Sequence, residues 1–197
     1  MKHLFLVLCL TILFVQMTKA QLAKDYFSIS SVSFNKEVYL LAWSSFSDSG
    51  YYKQEYLRKG DYLDIGYNKM ILIEILQKNM SPKDLAIKKV QEIEKRKSID
   101  HVSNSQMIEN QETGEYLVDF LISDGEGDLY EWNVYRYKFI ETSKGRAVML
   151  FGFSLRSFKN ADLSLDNFFP YFKKNRIELI NKLGNYELPK IELANSN

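Results

Sequence analysis

Two hydrophobic rhythms alternate along this chain, one of period two and one of about 3.6 residues, and their order predicts its elements. Residues 38–46 (VYLLAWSSF) are rich in strand formers and stop at the turn cluster Ser47-Asp48-Ser49-Gly50. An extended pattern resumes over residues 51–57 and ends at Lys59-Gly60-Asp61. Lys69–Leu76 (KMILIEIL) is a near-continuous apolar run of strand length, the pattern of a strand buried on both faces. A helix follows, with Ser81 as its cap, Pro82 at the first helical position and Asp84 completing a Ser-x-x-Asp capping box. Ala86, Val90 and Ile93 recur at helical spacing, while Lys83, Lys88, Lys89, Glu92 and Glu94 cover the other side as a solvated face.

The second half reads as antiparallel sheet. Glu115–Ser123 and residues 129–140 and 146–157 are three extended runs, separated by Asp124-Gly125-Glu126-Gly127-Asp128 and by Ser143-Lys144-Gly145. The last run alternates most cleanly: Ala147, Met149, Phe151, Phe153 and Leu155 face a core, and Arg146, Val148, Gly152, Ser154 and Arg156 face a wetter side. Leu165, Phe168, Phe169, Phe172, Leu179, Ile180 and Leu183 fall at helical spacings before Gly184. Pro170 lacks the amide hydrogen a continuous helix needs, so a short turn over 165–169 and a main helix over 170–183 are expected.

These elements give an α+β fold: an antiparallel β-sheet of about six strands flanked by two main helices. Their order over residues 35–184 resembles the PsbP-like fold, small secreted or organellar proteins in which two helices flank an antiparallel sheet. The chain is also similar to exported bacterial proteins of unknown function. The likeness lies in Glu55-Tyr56-Leu57-Arg58-Lys59-Gly60-Asp61 leading into Tyr67-x-x-Met70-Ile71, and in Glu131-Trp132-Asn133-Val134-Tyr135-Arg136-Tyr137. These resemblances imply an accessory or binding role and carry over no catalytic residue.

The N-terminus changes the picture of location. Lys2 and His3 precede an apolar run over residues 4–15, broken only by Cys9 and Thr11, and Thr18-Lys19-Ala20 places small residues at −3 and −1. That order is a secretory signal, and the run is shorter than the roughly 20 apolar residues a membrane span needs. Residues 1–20 are therefore read as a signal peptide, residues 21–186 as one domain starting at Gln21, and residues 187–197 as a flexible tail. The protein is expected to be secreted or periplasmic, with no stable membrane span after cleavage.

Cleavage removes Lys2, Lys19 and the one cysteine, taking the formal charge from +1 to −1. Thiolate chemistry and disulfides are thereby excluded, and a near-neutral mixed surface offers no electrostatic case for nucleic acid. His101 is the mature chain's one histidine, and Gly152-Phe153-Ser154-Leu155-Arg156 lacks the second glycine of a nucleophile elbow. Asp124, Glu126 and Asp128 occupy positions 1, 3 and 5 of a calcium-like loop, but Leu129 and Tyr135 stand where such a loop needs Gly and Glu. The sequon Asn79-Met80-Ser81 is followed by Pro82, and its serine is better used as the helix cap. No catalytic residue, metal or cofactor is assigned.

One stretch reads as a surface for binding a protein partner or small ligand. Tyr130, Trp132, Tyr135, Tyr137 and Phe139 interleave with Glu131, Asn133, Arg136 and Lys138. Amphipathic rings beside arginine suit stacking on planar or sugar ligands. Trp132, Tyr135, Arg136 and Arg156 are the candidate binding residues, with Trp132 half-buried and Arg136 reaching the surface beside it. The two arginines can equally serve as sheet-face partners of Glu131 and Asp119. The sequence thus predicts an exported, non-enzymatic binding or accessory domain. The alternatives are a hydrolase using Glu115, Asp119 and Glu131, or a component of an envelope assembly.

Overall fold

The computed structural model describes residues 23–64, 66–77, 79–157, 163–188 and 190–194. The signal-peptide reading, Cys9 and the Ala20–Gln21 cleavage point lie outside these residues.

Eight antiparallel strands form a single sheet. The first four are β1 (Ser31–Phe34), β2 (Glu37–Ser47), β3 (Tyr51–Arg58) and β4 (Lys69–Leu76). Helix α1 (Pro82–Arg96) then leads to β5 (Asn104–Asn110), β6 (Glu115–Ser123), β7 (Tyr130–Thr142) and β8 (Gly145–Arg156), and helix α2 (Leu165–Gly184) follows. The spatial order is β1-β2-β3-β4-β8-β7-β6-β5, so two four-stranded meanders meet where β4 pairs with β8. The sheet curls into a half-barrel around α2.

The expected count of about six strands is corrected to eight, and the two additions are the two edges of the sheet. β1 is only four residues long, and β5 (NSQMIEN) is mostly exposed and polar. An edge strand has one ladder partner and needs no continuous apolar face, and polar edges discourage pairing with other chains. β5 therefore lacks the periodicity that marks the interior strands, while β1 alternates, with Val32 and Phe34 buried, over too few residues to stand out.

Each face of the sheet has its own core. Toward α2, Tyr39, Tyr52, Tyr56, Ile71, Ile73, Trp132, Phe151 and Phe153 pack with Phe168, Leu179 and Leu183. Toward α1, Leu72, Val118, Phe120, Tyr137 and Leu150 pack with Ala86 and Ile93. The face of β8 expected to be wet is thus largely covered: Val148, Leu150 and Ser154 are buried, and only Arg146 is fully exposed. Helix α1 begins with the capping box, the Ser81 and Asp84 side chains each accepting from the other's backbone N–H.

Helix α2 runs unbroken through Pro170. The proline removes one rung, the bond Asp166 would accept, while burial of Phe168 before it and Leu179 and Leu183 after it holds both halves on one line. Residues 191–194, in the stretch read as a flexible tail, pack beside the first described segment. The Glu192 N–H donates to the Phe27 carbonyl at 3.2 Å and the Ala194 N–H to the Tyr26 carbonyl at 2.9 Å, with Ile191 and Leu193 buried.

Candidate functional site

Helix α1 packs over β5, β6 and β7 and over Leu72 of β4, and it leaves the same face of β2 and β3 largely uncovered. Along the helix flank runs a cleft of about 530 Å³, walled by Lys88, Lys89 and Glu92 of α1 and floored by β3, β4, β8 and β7. Strand alternation explains the floor. On β3, Tyr52, Gln54 and Tyr56 turn into the α2 core, which puts Tyr51, Lys53 and Glu55 on the cleft face. Register then sets Lys53 beside Glu74 of β4 and Glu74 beside Leu150 of β8.

Glu74 is the one charged residue inside an otherwise apolar run. Burial pushes its carboxyl up, and this outweighs the hydrogen bond from the Tyr51 hydroxyl and the nearby charges of Lys53 and Lys89. Burial and the Glu74 carboxylate raise the Tyr51 hydroxyl in turn. Lys53 pairs with Glu55 at 2.7 Å, and its ammonium lies 5.7 Å from the ring centre of Trp43 on β2. Trp43 is 40 % exposed. Lys89 pairs with Glu92 at 2.8 Å and sits 5.8 Å from the ring centres of both Phe120 and Tyr135.

The four residues chosen from the sequence divide between the two faces. Tyr135 lines the cleft, its ring edge-on to Phe120 at 5.0 Å. Burial drives its hydroxyl well above the ordinary range. Arg156 is on the same face, stacked over the Tyr67 ring at 4.4 Å and bonded to Glu131 at 2.5 Å. Glu131 also accepts from Asn133, which contacts Ser154, so this end of the face is an internally satisfied polar network.

Trp132 and Arg136 face α2, and the expectation of a half-buried ring beside a surface arginine is corrected. Trp132 is fully enclosed, with its Nε1 donating to Asp119 and its ring against Phe153 and Phe172. Arg136 is buried, paired with Glu115 at 2.6 Å, and donates to the Leu183 and Tyr186 carbonyls at 3.3 and 2.8 Å. A cation on the last carbonyls of a helix is favourable, so Arg136 fastens the end of α2. The reason is parity: Arg136 shares the face of Trp132 and Val134, and that face is roofed by α2 along its length.

The carboxylates do not assemble a hydrolytic centre. Glu115 and Asp119 face α2 and Glu131 faces α1. Glu115 and Asp119 are four residues apart on one strand, about 13 Å, beyond the separation glycoside hydrolysis uses. Each is held by its own partners: Glu115 by Arg136 and Lys138, Asp119 by Trp132 and Arg176, and Glu131 by Arg156. In the acidic loop Asp124 accepts from the backbone of Glu126 and Gly127, while Gly125 and Gly127 adopt positive φ. Its lead carboxylate thus stabilises its own turn. Among the described residues no cluster of three metal-ligating side chains occurs, and no helix is long and apolar enough to cross a membrane.

Sequence reasoning missed Trp43, Tyr51, Lys53, Glu74 and Lys89 as a group. The available signal was Glu74: a carboxylate in the middle of a doubly buried strand marks a gap in the cover above it.

Comparison with known proteins gives one family match, a protein-family model covering residues 28–188. No curated protein and no solved structure matches the chain.

Proposed function

We propose that this chain, which belongs to the family whose model covers residues 28–188, is an exported, non-enzymatic binding domain. It engages its ligand or protein partner in the cleft between α1 and the open half of the sheet. The observation that carries this reading is the incomplete cover of that face. The uncovered part of this face keeps Lys53, Glu74, Tyr51 and Tyr135 grouped around an open cavity. These polar groups stay beside open space with their own partners around them, the mix of apolar wall and a few convergent polar groups that suits a ligand site.

Export is supported by the basic, apolar and small-residue order of residues 2–20 and places the site in the periplasm or outside the cell. Mass spectrometry of the exported protein should find its first residue at Gln21; an intact Met1 would remove this part of the reading. The cleft is tested by capturing partners from the native envelope or medium. The wild type is compared with a Lys53→Ala/Lys89→Ala double variant and with Lys173→Ala on exposed α2. Loss of capture in the double variant alone, at an unchanged melting temperature, supports the cleft. Capture that survives the double substitution counts against it.

A further inference from the structure

The balance of charge in the cleft speaks to the chemistry of its occupant, and this inference rests on the cleft being the binding site. Its charges balance: Lys53 pairs with Glu55 and Lys89 with Glu92, and the remaining cation of the wall, Lys88, is matched in number by Glu74 on the floor. An anion would meet the Glu74 carboxylate, and a cation would meet the Lys88 ammonium. A wholly apolar ligand would strip water from ammonium and carboxylate groups and return no hydrogen bonds. What suits such a lining is a neutral molecule that both donates and accepts hydrogen bonds at many points.

Two further observations narrow the class. Leu72 and Leu150 give the floor an apolar strip between the polar groups, and the Tyr51 and Tyr135 hydroxyls stand beside it. One strand beyond Lys53, Trp43 offers a ring 40 % exposed, with the Lys53 ammonium over it 5.7 Å from its centre. A pyranose ring matches this pattern, because its hydroxyl edge donates and accepts while its C–H face packs on an aromatic ring. We infer that the cleft binds a neutral oligosaccharide, with one residue in the cavity beside Glu74 and Lys53 and a neighbouring residue stacked on Trp43.

The test is a screen of the purified protein against neutral oligosaccharides of α- and β-linked glucose, galactose, mannose, xylose and N-acetylglucosamine, followed by calorimetry on those retained. Chitohexaose and its deacetylated, cationic counterpart give a pair differing mainly in charge. Saturable binding of a neutral oligosaccharide is expected, weakened about tenfold or more by Trp43→Ala. Glu74→Gln should weaken it as well, with the melting temperature of the Trp43→Ala protein unchanged. Absence of any neutral ligand, preference for charged oligomers, or binding indifferent to Trp43→Ala would each overturn the inference. The two readings fail separately. If no sugar binds but partner capture is still lost in the Lys53→Ala/Lys89→Ala protein, the cleft stands and only its ligand class is wrong. If a sugar binds wild type and that double variant equally, the cleft itself is not the site.

Discussion

The ring of Tyr135 fills the space that a side chain at position 152 would need. A Cβ on Gly152 would lie 2.8 Å from Cδ1 and 2.9 Å from Cε1 of Tyr135, closer than real contacts allow. The two residues are directly paired across β7 and β8, so glycine here is a matter of room, not of backbone conformation. Gly152→Ala should destabilise by about 1–3 kcal/mol, the range for overpacking a filled interior. Because the clash is with one ring, Tyr135→Ala should relieve much of it, and urea unfolding of the double variant should show a strongly non-additive pair. Additive costs would mean that the ring does not rest on Gly152.

Trp132 and Arg136 should behave as structural residues. Trp132→Ala should cost about 3–5 kcal/mol, as truncation of enclosed aromatics does. Arg136→Ala should cost a similar amount, about 3–5 kcal/mol, because it strips a buried ion pair of one partner and frees the end of α2. Hydrogen exchange near Leu183 should rise in the Arg136 variant before that in β4 does. A melting temperature close to wild type in either variant would contradict the packing described for them.

That outcome bears on what could be read from the chain alone. The capping box at Ser81 and Asp84 was legible because it is a local pattern with a local cause. The interior strands were legible because each carries a run of strand formers or a clean alternation bounded by turn residues. The edges β1 and β5 were not, although each pairs with the next strand through a short turn: β1 is only four residues long and β5 is largely polar. Alternation told correctly that Trp132 and Arg136 share a face, but not that α2 roofs that face as far as Arg136. The cleft was hidden for the same reason: Lys53, Glu74 and Tyr135 become neighbours only through the pairing of β3, β4, β8 and β7.

Glu74 should make stability depend on pH in one direction. Burial raises its carboxyl above 4.5 in the folded state. Its stabilising contribution is then complete below the unfolded value and is lost as pH rises through the folded one. Glu74→Gln removes the cost of ionisation, so the variant should be more stable than wild type at neutral pH and should lose that advantage below about pH 4.5. Thermal melts of both proteins from acid to neutral pH check this; an advantage that grows toward acid would refute the assignment.

Asp100 should act in the opposite sense. Burial alone would raise its carboxyl, but hydrogen bonds from the Ser123 N–H and hydroxyl, from Ser103 and from Arg96 hold it well below the carboxylate range. Its contribution is present above the unfolded value of 3.8 and fades as pH falls from there toward the depressed folded value. Asp100→Ala, which leaves buried donors of Ser123 and Ser103 unpaired, should cost several kcal/mol at neutral pH, roughly 1–3 for each donor stranded. The deficit relative to wild type should shrink in acid. A constant deficit down to strongly acidic pH would show that the carboxylate charge is not what stabilises the loop.

Tyr135 and Arg136 are consecutive residues of β7, yet one lines the cleft and the other fastens α2. A single inserted or deleted residue upstream in this strand would exchange their destinations, sending a guanidinium toward the cavity and a phenol toward the helix end. The strand can therefore vary in what it presents to a ligand by exchanging side chains, but hardly by changing length. Relatives of this protein should differ in the chemistry of their clefts while keeping the residue count between the Asp124–Asp128 loop and the β7–β8 turn constant.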